Sequence, residues 1–314
     1  MQKPTKGDEP QEKILCLMCG APEYEILLMG RDNLFAQPGR YPIVKCCRCG
    51  LIYVNPRPTV EALRRHYPDN YFAYTQEDDI APLLRRILVP MVKTAAVKRI
   101  HYIEEVIGRL SGKTRVVDVG CGTNQFLRYL QELRGCMGIG VDFNIKTTDY
   151  VRRKYQMPIV CGTLHDAQFK DGQFDLVTMH EYLEHEPNPR QVLTEARRIT
   201  RFGGHICIEI PYIDGLPAKI FRSRWSQYDV PRHLVFFTRK TLEKMLQCCG
   251  YKLITARAFG APFIIGMSVL HSLGFNKLGS IKGAGWLLVG LAGAPFLPFV
   301  PIMREGMSIV ARAE

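Results

Sequence analysis

The stretch that decides the fold is Arg115-Val-Val-Asp-Val-Gly-Cys-Gly-Thr123. It is an apolar run containing one acid, followed by two glycines one residue apart and then by a helical-looking segment, 125–133. A short buried strand that passes through a glycine turn into a helix is how an open α/β sheet presents its backbone to a nucleotide-like ligand. Glycine suits this turn because no Cβ keeps the ligand away from the main chain.

A second short strand, Gly138-Ile-Gly-Val-Asp142, ends in an acid about twenty residues after the glycine turn. An acid at this place can accept hydrogen bonds from ribose hydroxyls. A dinucleotide and S-adenosylmethionine both fit this description. The dinucleotide fingerprint, however, requires a third glycine where this chain has Gln125, and an acid inside the first strand, Asp118, is foreign to it. The pattern therefore favours S-adenosylmethionine.

The run Val-Val-Asp-Val-Gly-Cys-Gly-Thr resembles motif I of the class I S-adenosylmethionine-dependent methyltransferases. The resemblance implies an α/β fold with a doubly wound, seven-stranded, Rossmann-like sheet whose last strand is antiparallel. Asp142 would bind the ribose, and Leu164 would cover the adenine. The family's third glycine falls at Asn124, a residue that tolerates left-handed backbone better than most. The implied cofactor-binding residues are Asp118, Gly120, Cys121, Gly122, Asp142, Phe143, Thr163, Leu164 and His180.

Further motifs follow in the order that the family requires, which disfavours the alternative of an ordinary βα turn. Glu181-Tyr-Leu-Glu-His185 resembles the family's Leu-Glu-His signature. For Glu184 and His185, helix capping and packing beneath the cofactor is favoured over catalysis. Apolar runs and capping residues predict the remaining strands at 158–164, 173–180, 205–211, 251–259 and 307–313, and helices at 188–203 and 238–250.

Two Cys-x-x-Cys-Gly pairs near the N-terminus predict a four-thiolate zinc ribbon. The metal would be structural, because four thiolates leave no open position, and it would stabilise a segment with little core of its own. Redox activity is the alternative, although one pair would suffice for it, and Cys47 is a spare that could replace Cys46. Together with 50–72, the second pair resembles the N-terminal extension of methyltransferases from bacterial sugar and cell-surface polysaccharide pathways. The predicted ligands are Cys16, Cys19, Cys46 and Cys49.

The long connection 212–237 is the predicted place for acceptor contacts, because ligands bind at the carboxyl ends of the strands. Its run Asp229-Val-Pro-Arg-His233 resembles a signature of the same subfamily. We predict His233 as the general base because imidazole titrates near neutrality. Asp229 would orient it, and Arg232 would hold an anionic group such as a phosphate. A structural turn is the alternative, and His180 is the second candidate for the base.

An apolar block interrupts the chain before the last strand. Residues 259–275 are almost wholly apolar, and 284–303 carry no charge, which is long enough for a helix of about 20 residues to cross a bilayer. Both ends of the block must return to one sheet, so a shallow hairpin at the membrane surface is favoured over a span. A hydrophobic lid over an apolar acceptor and a dimer surface are the alternatives. The predicted interface residues are Trp286, Lys277 and Lys282.

A second segment could contact a membrane. Apolar and basic residues separate onto different faces of a helix over 83–100, and such a helix can lie on anionic lipid. Packing on the sheet before the first strand is the strong alternative, and Pro90 is expected to kink or split the helix. The resulting organisation is a zinc ribbon (1–58), a helical linker (59–110), an S-adenosylmethionine-binding domain (111–260), an apolar membrane-associated insert (261–303) and the last strand (304–314).

The predicted activity is methyl transfer to a hydroxyl or carbon of a sugar, a lipid-linked glycan or another membrane-derived small molecule. A quinone-type O-methyltransferase and a non-catalytic binding protein are the alternatives. The net charge of +12 suits nucleic acid or an anionic membrane. Met179-His-Glu-Tyr182 differs from the Asn/Asp-Pro-Pro-aromatic motif of methyltransferases acting on DNA bases, so nucleic acid is disfavoured. The polar segment 1–13 lacks a signal peptide, which predicts a cytoplasmic, peripheral or monotopic protein at the inner membrane.

Overall fold

The computed structural model describes residues 9–68, 71, 74–276 and 285–314. Two predicted interface residues, Lys277 and Lys282, lie outside the described residues, and so does the side chain of Trp286. The strands are β1 (Gln11–Glu12), β2 (Tyr24–Gly30), β3 (Tyr41–Cys46), β4 (Ile52–Val54), β5 (Arg57–Pro58), β6 (Val116–Val119), β7 (Gly138–Asp142), β8 (Ile159–Cys161), β9 (Phe174–His180), β10 (Thr200–Pro211), β11 (Val235–Phe236), β12 (Tyr251–Phe259) and β13 (Gly306–Ala313). The α-helices are α1 (Val60–Leu63), α2 (Pro82–Ile107), α3 (Gln125–Arg134), α4 (Ile145–Tyr155), α5 (Pro189–Ile199), α6 (Leu216–Phe221), α7 (Arg239–Cys248), α8 (Pro262–Ser272) and α9 (Gly285–Gly293).

Seven strands form the central sheet in the order β12-β13-β10-β9-β6-β7-β8. The strands from β8 to β10 run parallel, whereas β13 is antiparallel to both of its neighbours. This confirms the predicted doubly wound α/β sheet with an antiparallel last strand. The chain leaves β6 toward β7 on one side and later adds β9 on the other. The carboxyl ends of β6 and β9 therefore form the switch point at which such sheets bind ligands.

Helix α2 packs on one face of the central sheet. For this segment the sequence left two interpretations open, packing on the sheet and contact with a membrane. Ile100 and Ile103 are fully buried in an apolar cluster with Phe126 and Leu130 of α3 and with strand residues. The helix continues through Pro90, where the sequence predicted a kink or a split. A proline removes one main-chain hydrogen bond, and the burial of the helix further along its length outweighs that loss.

The N-terminal lobe is built on a second, four-stranded sheet in the order β11-β4-β3-β2. Its edge strand β11 comes from the far end of the connection 212–237, and Val235 pairs with Tyr53. The predicted lobe boundary at residue 58 therefore omitted one strand of the lobe. A strand of two residues has no readable periodicity, and its partner lies far away in the chain. The main-chain hydrogen bonds between β11 and β4 therefore connect the predicted acceptor segment to the lobe.

Helices α8 and α9 form the apolar insert and cross at two glycines. A Cβ on Gly266 would overlap the carbonyl oxygen of Val289, and a Cβ on Gly293 would overlap that of Pro262. Only glycine therefore allows the two backbones to approach this closely. Within the described parts of the chain, we find no helix that combines the length and the apolar character needed to cross a bilayer.

The first helix of the insert is joined to the connection 212–237 by hydrogen bonds. The Ser226 N–H donates to Ser268 Oγ at 3.0 Å, and Ser226 Oγ donates to the Ile264 carbonyl at 3.0 Å. Ile265 is fully buried. Helix α8 is thus a packed part of the protein, and it lies directly beside the segment in which acceptor contacts were predicted.

Candidate active site

The turn after β6 has left-handed backbone at three positions. Gly120 has a φ of +71°, Gly122 of +51° and Asn124 of +61°. A Cβ on Gly120 would overlap the ring of Tyr182, so glycine is required there for space as well as for conformation. Asn124 adopts the conformation that the family's third glycine would have, in agreement with its predicted tolerance.

Asp142 ends β7 with both carboxylate oxygens held by the main chain. The Gly122 N–H donates to Oδ2 at 2.9 Å, and the Asn144 N–H donates to Oδ1 at 2.9 Å. A carboxylate has about four lone-pair sites, so each oxygen can accept a further hydrogen bond from a ligand hydroxyl. The arrangement fixes the acid next to the glycine turn, as binding of a ribose requires.

A cavity of about 2020 Å³ opens over the carboxyl ends of the central strands. Ordinary ligand pockets measure about 300–1,000 Å³, so this one has room for a cofactor and an acceptor together. The predicted site residues that line it are Gly120, Gly122, Asp142, Phe143, Thr163, Leu164, His180, Asp229 and His233. The predicted site residues that do not line it are Asp118, Cys121 and Arg232.

Asp118 and Cys121 lie behind the cavity wall, which corrects their assignment as direct cofactor ligands. Asp118 Oδ1 accepts a hydrogen bond from Thr178 Oγ1 at 2.6 Å and lies 3.3 Å from His180 Nδ1. The Cys121 thiol is directed at Gly140, where an added Cβ would lie 2.6 Å from the sulfur. Side chains alternate between faces at the end of a strand, so ligand contact in this turn falls to the main chain. Asp118 thus lies close to His180 but makes no hydrogen bond to it, and neither ring nitrogen of His180 has a hydrogen-bond partner within the described residues.

The turn after β8 brings Thr163 and Leu164 to the cavity. Thr163 Oγ1 donates to Asp166 Oδ2 at 2.7 Å, so its hydroxyl shapes the turn. Leu164 is buried beside it and forms an apolar wall. This wall is the surface against which the resemblance places an adenine ring.

His233 lies at the cavity wall with one ring nitrogen held and the other available. Its Nδ1 lies 2.8 Å from the main-chain carbonyl of Gln227, which fixes the proton on Nδ1 and leaves the lone pair on Nε2. The ring is only 5% exposed, and burial lowers its pKa. Asp229, which was predicted to orient His233, instead accepts hydrogen bonds from Arg232. The group that orients His233 is therefore the Gln227 carbonyl, which no side-chain motif could have revealed.

Arg232 is bound inside the protein, which corrects its assignment as a ligand for an anionic acceptor group. Its guanidinium contacts Asp229 through Nε at 2.9 Å and Nη2 at 2.6 Å, and Asp32 through Nη2 at 2.7 Å. Nη1 also donates to the His66 carbonyl at 3.2 Å. The side chain is fully buried, and its donors are occupied by these partners. Arg232 therefore fixes the connection to the N-terminal lobe.

A group of buried acids at the cavity was not predicted as functional. Glu209 is paired with Arg99, whose Nε donates to Oε1 at 3.0 Å. Burial raises the pKa of Glu181 to about 8, and this residue has an unusual φ of +52°. Glu305 accepts a hydrogen bond from Trp225 Nε1 at 2.6 Å, and burial raises its pKa to about 7. Backbone strain and shifted pKa values in a cleft are typical of functional sites.

The four predicted metal ligands come together in the N-terminal lobe. Their sulfur atoms lie within 4.8 Å of one another, with Cys16 and Cys49 at 3.4 Å and Cys19 and Cys46 at 3.6 Å. A tetrahedral zinc site with metal–sulfur bonds of about 2.3 Å has sulfur–sulfur edges of about 3.8 Å, so the donor set fits zinc. The exposed Cys47 lies outside this cluster.

Comparison with known proteins concerns mainly the central sheet. The profile of a methyltransferase domain family matches residues 117–208. An uncharacterized protein of Methanocaldococcus jannaschii is 28% identical over 152 residues, which cover 48% of this chain and 71% of that protein. A ubiquinone biosynthesis O-methyltransferase of Acinetobacter baylyi is 30% identical over 115 residues, which cover 34% of this chain and 48% of that enzyme. The chain thus spans about half the length of the ubiquinone enzymes that it matches.

A solved structure shares the fold. A candidate sarcosine dimethylglycine methyltransferase from Galdieria sulphuraria has a TM-score of 0.50 and 12% identity, over 73% of this chain and 87% of that chain. At this identity the likeness concerns the fold alone. Residues 117–208 of this chain thus form a methyltransferase domain, and the sheet order with the glycine turn and the acid after β7 is that of the class I S-adenosylmethionine-dependent methyltransferases.

Proposed function

We propose that this methyltransferase acts on a hydroxyl or carbon of a sugar, a lipid-linked glycan or another membrane-derived small molecule. The observation that carries the proposal is the single cavity of about 2020 Å³, which reaches from the glycine turn to the apolar insert. Its near end is lined by Gly120 and Asp142, and its far end by Phe259, Ile264 and Met267. A polar reacting end and an apolar far end suit an acceptor that carries an apolar portion.

The residue roles follow from this division of the cavity. S-adenosylmethionine would lie on the turn at Gly120 and Gly122, with its ribose on Asp142. Methyl transfer is an in-line displacement, so the acceptor must approach the sulfonium from the opposite side, where His233 lines the cavity. We assign His233 as the residue that activates the acceptor and His180 as the second candidate, with the Asp118 carboxylate 3.3 Å from its Nδ1.

The N-terminal lobe carries a structural zinc ion in this proposal. The four thiolates occupy all positions of a tetrahedral ion and leave none for a substrate. The insert provides the acceptor with a lid and the protein with a membrane-contacting surface. Its lid side includes Ile264 and Met267 at the cavity. Its outer side exposes the apolar residues Leu288, Leu291, Leu297, Phe299 and Ile302.

The test is a transfer assay with methyl-labelled S-adenosylmethionine. The purified protein is incubated separately with a membrane lipid extract, with a glycolipid fraction and with soluble sugars. Label in a lipid or glycolipid product that requires the protein supports the proposal. The matched control is Asp142→Ala, which should lose cofactor binding because each lost ribose hydrogen bond to a charged acceptor costs about 1.5–3 kcal/mol. Label in soluble sugars alone would assign a free sugar as the acceptor and exclude a lipid-linked one, and label in none of the three would refute the proposal.

A quinone-type O-methyltransferase is the second candidate. The observation that favours it is the similarity to ubiquinone biosynthesis O-methyltransferases, which extends over 34% of this chain. An isoprenoid quinone precursor with a free phenolic hydroxyl also has a polar reacting end and an apolar tail. Labelling of such a precursor in the lipid fraction, with no labelled glycolipid, would select this acceptor.

A further inference from the structure

We propose that Glu184, His185 and His233 form a second metal site, which takes a divalent transition-metal ion at the floor of the cavity. One ligand atom from each of these residues lies within 4.8 Å of the others, a spacing that one ion can bridge. Two imidazoles and a carboxylate form a donor set that suits zinc and iron, and three protein ligands leave positions open for an exogenous oxygen. The site is separate from the four cysteines of the N-terminal lobe.

Both imidazoles are held in the way that metal-binding histidines are held. His185 Nδ1 lies 3.1 Å from the Arg232 carbonyl and 3.0 Å from the Tyr67 hydroxyl. His233 Nδ1 lies 2.8 Å from the Gln227 carbonyl. A histidine that binds a metal usually donates its second N–H to a carbonyl or a carboxylate, which fixes the tautomer and directs the lone pair at the ion. In both rings Nε2 is the nitrogen left for a metal.

The rings also have the mutual position that a shared ion requires. Their centroids are 4.5 Å apart, and their planes are at 82° to each other. Both rings line the cavity.

Glu184 supplies the independent sign that a ligand is missing. The residue is only 1% exposed, and neither carboxylate oxygen has a hydrogen-bond partner within the described residues. A buried carboxyl group without a partner is costly, and it is rare in native proteins. The charged neighbours of Glu184 are the carboxyl groups of Glu181 and Glu209, which carry the same sign. A divalent cation bound here would supply a counter-charge to Glu184.

Metal binding gives the site a defined chemistry, and this step rests on the proposed function. An acceptor hydroxyl bound at an open position would lose its proton to solvent water, because a metal ion lowers the pKa of a bound O–H group. The oxygen lone pair then forms the new bond to the methyl carbon, and the carbon–sulfur bond breaks with its electron pair returning to sulfur. The products are the methyl ether and neutral S-adenosylhomocysteine. His233 would hold the ion, and the ion would promote removal of the acceptor's proton.

The test measures metal binding directly on the full chain with its zinc ribbon loaded. Mn²⁺ is titrated while the signal of the free ion is followed by electron paramagnetic resonance, because thiolates compete poorly for Mn²⁺. Zinc content after equilibration with Zn²⁺ and desalting provides a second measurement. We expect one Mn²⁺ per chain, and a second equivalent of zinc beyond that of the ribbon. Glu184→Gln and His233→Gln should each weaken binding at least about tenfold, since even outer partners of metal ligands contribute that much.

The matched control is His165→Gln, which removes an imidazole of the cavity wall outside the cluster. It should leave metal affinity unchanged, and retained binding of S-adenosylhomocysteine shows that each variant is folded. Failure of the wild-type chain to bind either ion beyond the ribbon zinc would overturn the inference, as would equal affinity in the wild type and both ligand variants. Because these readouts need no acceptor, a metal site without methyl transfer would refute only the proposed function.

Discussion

At the residue scale, we predict that activity depends most directly on the free Nε2 of His233. We expect His233→Gln to lower methyl transfer by about 10²–10⁴-fold, the range by which a positioned acid–base group accelerates a reaction. S-adenosylmethionine affinity, measured by calorimetry, should stay within about twofold of the wild type, because His233 is not among the residues expected to contact the cofactor. His165→Gln is the control and should retain activity. A His233 variant of wild-type activity would remove this residue from the mechanism.

The same residue sets the pH dependence of the reaction. A proton acceptor and a metal ligand both require the neutral ring, and burial lowers the pKa of His233 from its ordinary value of 6.5. The acid limb of the rate profile should therefore have its midpoint below pH 6.5. The folded chain also binds this proton less tightly than the unfolded chain does, so acid lowers stability as well. A midpoint above pH 6.5 would contradict the prediction.

The positions of the residues at the proposed cofactor end could be predicted because they are set by local sequence. The turn at Gly120 and Gly122 lies within one short motif, and Asp142 ends the next strand. Arg232 could not be placed, because its partner Asp32 is 200 residues away in the chain and carries no recognisable pattern. The sequence shows that a charged residue is present, whereas only the fold shows whether its partner is a ligand or another side chain.

At the scale of elements, the insert depends on the crossing of α8 and α9. Gly266→Ala places a Cβ on the backbone of α9, so the two helices must separate, and we expect a loss of about 1–3 kcal/mol in the free energy of unfolding. Gly290→Ala is the matched control, because nothing lies within 4 Å of its Cβ. Alanine favours a helix over glycine by up to about 1 kcal/mol, so this variant should be neutral or more stable. Urea denaturation measures both.

These two alanine variants distinguish helix packing from local helix preference. If both variants lose stability equally, the crossing contributes nothing specific and the insert is loosely packed. The sequence predicted this insert from its apolar composition, and the structure confirms it as helical. The contact between the helices was not predictable, because several glycines of the segment look alike in the sequence and only the fold shows which of them faces a neighbouring backbone.

The strands show the same limit of prediction. The seven strands of the central sheet were predicted because each is a short segment with apolar residues between turn or capping signals, and their order follows from the resemblance. Strand β11 was missed because Val235 and Phe236 are only two residues and pair with a strand from the opposite end of the chain. Short pairings of this kind are set by tertiary contacts and have no signal in local sequence.

At the scale of the whole molecule, β11 joins the N-terminal lobe to the segment that carries His233. His233 lies two residues before β11, and Val54 N–H donates to the Leu234 carbonyl at 2.9 Å. We expect Cys46→Ser to remove zinc, loosen the four-stranded sheet and reduce methyl transfer at least about tenfold, because metal binding and folding of such lobes are coupled. Binding of S-adenosylmethionine should be affected much less, since its residues belong to the central sheet.

Cys47→Ser is the matched control for this coupling, because Cys47 is exposed and lies outside the cluster. Its zinc content, measured by elemental analysis, and its activity should equal those of the wild type. A Cys46 variant that loses zinc and keeps full methyl transfer would show that the lobe is an independent attachment. Loss of zinc in the Cys47 variant would instead show that Cys47, and not Cys46, binds the zinc ion.

We predict that the outer surface of the insert brings the whole molecule to a lipid membrane. Leu288, Leu291 and Phe299 are each more than half exposed, and a chain with a net charge of +12 is attracted to anionic lipid. We expect the protein to float with anionic lipid vesicles and to bind neutral vesicles more weakly. Replacing these three residues by serine should reduce vesicle binding at least about tenfold, because each buried Leu or Phe side chain contributes about 1.5–3 kcal/mol.

The control for this surface is Met137→Ser, which removes an equally exposed apolar side chain just before β7, far from the insert in the chain. It should leave vesicle binding unchanged, and both variants should retain cofactor affinity because neither touches the turn after β6. If the triple variant still binds vesicles but loses methyl transfer to lipid acceptors, the insert serves only as a lid. If the wild-type protein fails to float with any vesicle, acceptors must reach the cavity from solution, and the apolar surface must be covered by another protein.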